Sequence, residues 1–245
     1  MSATSQPDLV HYLPIATTVL AAIFATVLLR RYVARRSGLH LLWWGLGMVA
    51  YGLGTALESS VTLFGNSVWQ TKAWYIAGAL LGGYPLAQGS AYLLAARQTA
   101  DRLTVVTLSF IAIVAVLVIV SPADLAAMEA HRPTGSVLAW TWVRAFTPFI
   151  NLYAVAFLVG GAIYSAWRFA KRKGAGHGQR AMGNVFIAVG GILPGIGGTM
   201  AKMGMVEALY VGEFVGLLFI WIGFTLNVRA PRPTPAPLAA PTGSS

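Results

Sequence analysis

The feature that most constrains this chain is a series of apolar segments separated by short polar stretches. Seven such segments cover residues 11–29, 39–59, 71–95, 103–121, 138–167, 181–202 and 208–228. A helix needs about 20 apolar residues to cross the roughly 30 Å hydrocarbon core of a bilayer. The mean hydropathy is +0.68, and only 10% of the residues are charged, whereas ordinary soluble domains carry about 25%. The pattern predicts an all-α integral membrane bundle of seven transmembrane helices.

The basic residues predict how this bundle is oriented. Of the 17 lysines and arginines, 13 lie in the stretches after the first, third, fifth and seventh segments. Positively charged loops stay on the cytoplasmic side of a membrane. We therefore expect the N-terminus outside and the C-terminus in the cytoplasm, in a multi-pass protein of the inner (cytoplasmic) membrane. The net charge of +10 is explained by this arrangement, so we expect no nucleic-acid partner.

The two ends of the chain are predicted to lie outside the bundle. Residues 1–10 contain no Lys or Arg, so they lack the positive region of a signal peptide. We expect them to be an extracytoplasmic N-terminus before a retained first helix. Residues 11–229 form the predicted transmembrane domain. Residues 230–245 contain five prolines and are predicted to be a disordered cytoplasmic tail.

Small residues recur at spacings that bring them to one face of a helix. Gly45 and Gly52, and likewise Gly47 and Gly54, are seven residues apart, and the pairs Gly78/Gly82 and Gly191/Gly195 form GxxxG steps. In lipid, such residues let two helix backbones approach closely. The spacing is compatible with a homodimer interface, but it favours packing within the bundle. Three prolines, Pro85, Pro148 and Pro194, fall inside predicted helices and are expected to kink them.

Ionisable residues near the outer ends of the helices are the candidate site. Buried charges in a membrane are costly and usually mark function. At similar predicted depths lie Glu58, Lys72, Arg144, Lys202 and Glu213, with Asn151 two turns below Arg144 and with Tyr75, Tyr84 and Tyr153 as further lining residues. The binding hypothesis is an outer small-ligand or ion pocket in which Arg144 and Lys202 face an anionic group. The structural alternative is that these charges neutralise one another or extend to the lipid head groups.

No pattern in the chain indicates catalysis. There is no cysteine, and the four histidines are neither paired along a helix nor part of a metal-binding motif. Neither HExxH nor Gly-x-Ser-x-Gly is present. We predict no catalytic residue, no metal site and no cofactor, although an enzyme is not excluded.

A basic stretch, 166–180, holds five positive charges on the predicted cytoplasmic side. Such a stretch can bind anionic lipid or a cytoplasmic partner. The simpler interpretation is that it only fixes the topology.

Two resemblances bear on function. Seven helices with an outer N-terminus resemble microbial rhodopsins, but those attach retinal to a lysine in the seventh helix, where this chain has Glu213. The stretches WWGLGMVAYGLGTALES and WQTKAWYIAGAL resemble the seven-helix N-terminal sensor region of bacterial histidine kinases. WYIAGAL and TPFINLY are similar to stretches of stand-alone bacterial seven-helix proteins. In the kinases an output domain follows the seventh helix, whereas here residues 230–245 are proline-rich.

Glu213, Lys202 and Arg144, together with the resemblance to a sensor region, favour a stand-alone sensor or small-ligand-binding module with an outer polar pocket. Two alternatives stay open. One is a component of a small-solute or ion transporter or channel, and the other is a membrane assembly partner without a ligand. The predicted partners are the lipid bilayer, a small ligand, a cytoplasmic protein at 166–180 and a second copy of the chain.

Overall fold

The structure, a computed structural model, describes residues 9–231, and this range is helical, with no β-strand. The helices are α1 Leu13–Arg35, α2 Leu39–Phe64, α3 Val68–Trp74, α4 Tyr84–Leu94, α5 Arg97–Val120, α6 Thr147–Ala154, α7 Gly161–Ala170, α8 His177–Lys202 and α9 Val206–Arg229. Two π-helical segments extend this set: Tyr75–Leu80 continues α3, and Val155–Gly160 joins α6 to α7. Short 3₁₀ segments precede α1 and α6.

When α3 is counted with α4, and α6 with α7, the helices form seven helical segments, one for each apolar segment of the sequence. Five are long and apolar enough to cross a membrane: Leu9–Arg35, Arg97–Val120, Thr141–Ala170, His177–Lys202 and Val206–Arg229. Their ends extend beyond the predicted ones where charged residues continue a helix. The first runs on through Arg35 and the fourth begins at Arg97, because a charged side chain at a helix end remains in water while its backbone stays helical.

The two other segments are α2, which exposes Leu46, Val49 and Leu53 on one face, and the pair α3–α4. The chain from α3 is interrupted at residues 81–83 and restarts at Tyr84. Every residue of α4 from Tyr84 to Ala91 is buried, so this helix contacts neighbours on all sides. By contrast, α5 exposes a wide apolar face, with Val105 and Val106 about two-thirds exposed. A face of this kind suits lipid.

The connections divide the bundle into two ends. The basic end holds the turns at residues 36–38, 95–96 and 171–176, together with Ala230 and Pro231. The opposite end holds the turns at residues 65–67 and 203–205 and the long loop 121–140. Gly38 and Gly204, with φ of 93° and 94°, occupy tight turns at the two ends in a conformation that favours glycine. Within residues 9–231, the basic residues belong to the basic end with four exceptions, which are Lys72, Arg132, Arg144 and Lys202.

The closest helix packing is between α8 and α9, and glycines make it possible. A Cβ atom on Gly190 would lie 2.5 Å from the carbonyl oxygen of Gly216, and one on Gly223 would lie 2.3 Å from that of Gly183. Gly183, Gly190 and Gly197 are spaced by seven residues and all face α9. The predicted step Gly191/Gly195 does not form this contact, since Gly195 has nothing within 4 Å.

The prolines differ in place from the prediction. Of the three, only Pro194 lies inside a helix, α8. Pro85 and Pro148 lie in the first turns of α4 and α6, where a missing N–H costs no helical hydrogen bond. Pro85 therefore marks the restart of the third helical segment, and Pro148 marks the change from 3₁₀-helix to α-helix in the fifth. The predicted N-terminus 1–10 and tail 230–245 lie almost wholly outside the described residues.

Candidate functional site: a buried carboxyl pair

Two acidic side chains from distant parts of the sequence meet inside the bundle. Glu58, near the end of α2, and Glu213, in the second turn of α9, lie close enough for their carboxyl groups to interact electrostatically. Glu58 is only 3% exposed. We call these two residues the carboxyl pair. It lies toward the opposite end of the bundle, away from most of the basic residues.

The surrounding side chains hold the pair in place but do not fill its hydrogen-bonding capacity. Trp74 Nε1 donates to Oε1 of Glu58 at 2.7 Å, and the Tyr51 hydroxyl donates to the backbone oxygen of Glu213 at 3.0 Å. The second oxygen, Oε2, of each carboxyl is buried and has no partner among the described residues. Buried polar atoms without partners are uncommon and call for an explanation.

The chemistry of this arrangement favours binding of a proton or a cation. Two ionised carboxylates in contact would repel each other in a region with little water. Because carboxylate oxygens are acceptors, the pair can take up positive charge and cannot recognise an anion.

Other ionisable groups around the pair come from α2, α9, the 3₁₀ segment before α1 and the loop 121–140. Tyr51 on α2 and Tyr210 on α9 lie close enough to interact electrostatically with both carboxyls. The His11 ring packs edge-on against Tyr210, with 5.7 Å between ring centroids. In the loop, Glu129 accepts hydrogen bonds from Arg132, and this contact raises the pKa of the Arg132 guanidinium. Arg132 therefore stays charged at every accessible pH.

Lys72 does not join Glu58, although the sequence places both at similar depth. Its ammonium group donates to the carbonyl oxygens of Ile119 and Ser121 at 2.7 and 2.6 Å, and Lys72 is 6% exposed. These carbonyls end α5, where the helix dipole attracts a positive charge. The position of Lys72 indicates that it anchors α3 to the end of α5.

Three more of the predicted site residues are exposed. Arg144 lies in the 3₁₀ segment Thr141–Phe146, Asn151 on α6 and Lys202 at the end of α8. Neither Arg144 nor Lys202 forms an ion pair with a carboxylate among residues 9–231. The structure therefore brings together Glu58 and Glu213 but neither of the cations that were expected to face a ligand with them.

Tyr84 belongs to a second polar cluster, nearer the basic end. Its hydroxyl accepts a hydrogen bond from Thr107 at 2.7 Å, and its ring lies 5.7 Å from that of Tyr153. The centre of this cluster is Gln88, which is fully buried. The Tyr153 hydroxyl donates to Oε1 of Gln88, and Nε2 of Gln88 donates to the backbone oxygen of Ala100 and to Oγ1 of Thr104. Through these bonds the side-chain amide of Gln88 joins α4, α5 and α6, and both its oxygen and its nitrogen have hydrogen-bond partners.

Sequence reasoning missed Trp74, Tyr51 and Gln88 as partners. Gln88 carried a usable signal, because an amide among apolar residues needs buried partners. For Trp74, nothing in the sequence indicates that its indole points at Glu58.

The comparisons with known proteins give no assignment. The chain matches no protein-family model, and no curated protein or solved structure is significantly similar to it.

Proposed function

We propose that the protein is a seven-span sensor of the inner membrane, with its N-terminus outside, in which the carboxyl pair is the responsive element. The topology is supported by the five apolar helices and by the concentration of positive charge at one end. Together with α2 and the pair α3–α4, these helices give an odd number of crossings. The basic end then faces the cytoplasm.

The observation that carries the proposed function is the close approach of the Glu58 and Glu213 carboxyls, each with a buried oxygen that has no hydrogen-bond partner within the described part of the chain. Loss of the bound proton, or its replacement by a small cation, changes the force between α2 and α9. Intramembrane carboxyls that serve only structure are expected to have all their oxygens satisfied. The ligand of this site is therefore a proton or a cation, in place of the anionic group first expected.

The packing of α8 on α9 supplies a path to the basic end. The two helices touch through glycines along their length, and near the basic end Asn184 Nδ2 donates to Asn227 Oδ1 at 3.2 Å. Since backbones in such close contact move together, a shift of α9 reaches the basic loop 166–180. This loop is the surface that we propose for a cytoplasmic partner.

The test uses a reporter cysteine in the basic loop, which is possible because the chain has no cysteine of its own. Lys173→Cys is combined with the native carboxyl pair or with the double substitution Glu58→Gln/Glu213→Gln. Glutamines keep the size of the pair and can still hydrogen-bond to each other and to Trp74. The maleimide labelling rate of the reporter in lipid nanodiscs is divided at each pH by that of a free cysteine peptide, because thiolate formation alone speeds labelling as the pH rises. We expect this relative labelling rate to vary with pH only when the native pair is present.

Two controls address neighbouring titratable groups. Glu207→Gln removes an exposed acid from the same helix, and His11→Gln removes the imidazole ring that packs against Tyr210. Both are expected to retain the pH response. The proposal is contradicted if the relative labelling rate does not change with pH in any variant. It is also contradicted if the change with pH persists without the pair. If the double glutamine variant only lowers the amount of folded protein, the pair is structural.

Transport is a second candidate, and one observation favours it. The interruption at residues 81–83 and the two π-helical segments place irregular backbone inside the bundle, as in transporters whose helices are broken. Proteoliposomes with a trapped pH indicator would decide between the two functions. Proton flux that disappears in Glu58→Gln/Glu213→Gln selects transport, and absence of flux with a persistent labelling response selects sensing.

A further inference from the structure

A cavity of about 360 Å³ opens at the basic end, far from the carboxyl pair. Parts of α1, α2, α4, α7, α8 and α9 enclose it. Its volume lies in the lower part of the roughly 300–1,000 Å³ that is typical of small-molecule sites. The cavity is not used by the proposed sensing mechanism.

The interior of the cavity is apolar. Its wall is formed by side chains that are themselves well buried, such as Phe24, Leu28 and Phe224, which are 2%, 1% and 7% exposed, together with Trp44 and Leu158. These side chains come from four different helical segments. An interior of this kind favours hydrocarbon over water.

The rim of the cavity is positively charged. Arg31, Arg35 and Arg180 line it together with His40, and none of the lining residues is acidic. Two of the arginines are placed by aromatic rings: the Arg31 guanidinium lies 5.8 Å from the ring centre of Phe224, and that of Arg180 lies 5.7 Å from Phe169. A guanidinium on a ring still has N–H groups that can bind an anion.

These arginines have no carboxylate partner in the described part of the chain. The ion pairs found within residues 9–231 are Arg97–Asp101 and Arg132–Glu129, and neither belongs to the cavity. Several uncompensated guanidinium groups around an apolar space attract an anion that carries its own apolar portion.

We propose that this cavity binds an anionic amphiphile, with its head group at Arg31 and Arg180 and its acyl chain between Phe24 and Leu158. Carboxylate or phosphate oxygens would accept hydrogen bonds from the two guanidinium groups. This chemistry occurs in a free fatty acid and in an anionic phospholipid of the bilayer, and the test must separate these sources.

The experiment measures binding of radiolabelled oleate to the full-length protein in nanodiscs of uncharged phosphatidylcholine. The main variant is Arg31→Gln/Arg180→Gln. Its matched control, Arg172→Gln/Lys173→Gln, removes the same charge from the same end at exposed positions outside the cavity. We expect saturable binding, weakened at least about tenfold in the main variant and less than about twofold in the control, as for loss of charged hydrogen bonds.

Two further arms make the outcome decisive. Oleyl alcohol, with the same chain and no charge, should compete poorly, whereas phosphatidylglycerol identifies the bilayer as a source if it competes as well as oleate. Ala162→Phe fills the cavity without changing charge and should also abolish binding. Equal competition by the alcohol, equal losses in both double variants, or normal binding to Ala162→Phe overturns the proposal. Size-exclusion profiles and unfolding temperatures establish that each variant is folded, and none of these results depends on Glu58 or Glu213.

Discussion

The indole nitrogen of Trp74 on α3 donates a 2.7 Å hydrogen bond to Oε1 of Glu58 on α2, and this bond ties the site to the helix that follows it. We expect Trp74→Phe to lower the free energy of unfolding by about 1–3 kcal/mol, because a buried carboxyl oxygen loses its donor. Thermal unfolding in neutral-detergent micelles measures this. Trp69→Phe is the control, since Trp69 on the same helix is 68% exposed. If both variants lose the same free energy of unfolding, the loss comes from the smaller ring and not from the hydrogen bond to Glu58.

The glycine contact between α8 and α9 predicts two opposite outcomes on one helix. Gly190→Leu should destabilise the protein by about 1–3 kcal/mol or more, because its side chain meets the backbone of α9. Gly195→Leu should be tolerated, since a Cβ there meets nothing within 4 Å. Unfolding temperature and size-exclusion elution measure both effects. If Gly195→Leu instead changes the elution volume while stability holds, that face is a dimer interface.

Lys72 and Lys202, which looked alike in the sequence, are expected to behave differently. Lys72→Met removes two hydrogen bonds from the end of α5 and should cost about 1–3 kcal/mol. Lys202→Met, at an exposed position, should change stability by less than about 0.5 kcal/mol. Chemical unfolding of both variants in the same micelles measures the difference. Neither should alter the pH response of the carboxyl pair. A changed response in Lys202→Met would return this residue to the ligand site.

The hydrogen bonds of Gln88 predict that its substitution strongly lowers the free energy of unfolding. They also predict that this loss and the loss from a Tyr153 substitution are not additive. Gln88→Leu leaves the Tyr153 hydroxyl without its buried acceptor, whereas Thr104 keeps its hydrogen bonds to Ala100 and Tyr92, so we expect a loss of about 1–3 kcal/mol. The double variant Gln88→Leu/Tyr153→Phe should be less destabilised than the sum of the single variants. Chemical unfolding in mixed micelles measures all three. Additive losses would show that the bond between Gln88 and Tyr153 contributes little.

The topology predicts which engineered cysteines a membrane-impermeant maleimide can reach in intact cells. Ala130→Cys and Met203→Cys, at the opposite end, should be labelled from outside. Ser37→Cys, Gln98→Cys and Lys173→Cys should be labelled only after lysis. All five positions are exposed. Any exchange between the two sets changes the number of crossings or the orientation.

How far the sequence predicted this structure depends on the kind of contact involved. Helix positions follow from runs of apolar residues, and all seven runs contain a helix. The break before Tyr84 was missed because hydropathy does not register backbone geometry, although Gly82, Gly83 and Pro85 mark it. Depth along a helix predicted that Glu58 and Glu213 lie at one level. Which residues meet also depends on the rotation of each helix about its axis. Lys72 was predicted at the same depth as Glu58, whereas its ammonium group binds the end of α5.

The burial of α4 has a consequence for biosynthesis. Gln88 hydrogen-bonds to Ala100, Thr104 and Tyr153, all of which are translated after it. A nascent chain that ends before residue 153 therefore contains an amide with no complete set of partners, and lipid cannot provide them. As part of the third apolar segment to be synthesised, α4 reaches its final place only after the fifth segment has emerged from the ribosome. For this helix, the complete set of hydrogen bonds therefore forms late in synthesis.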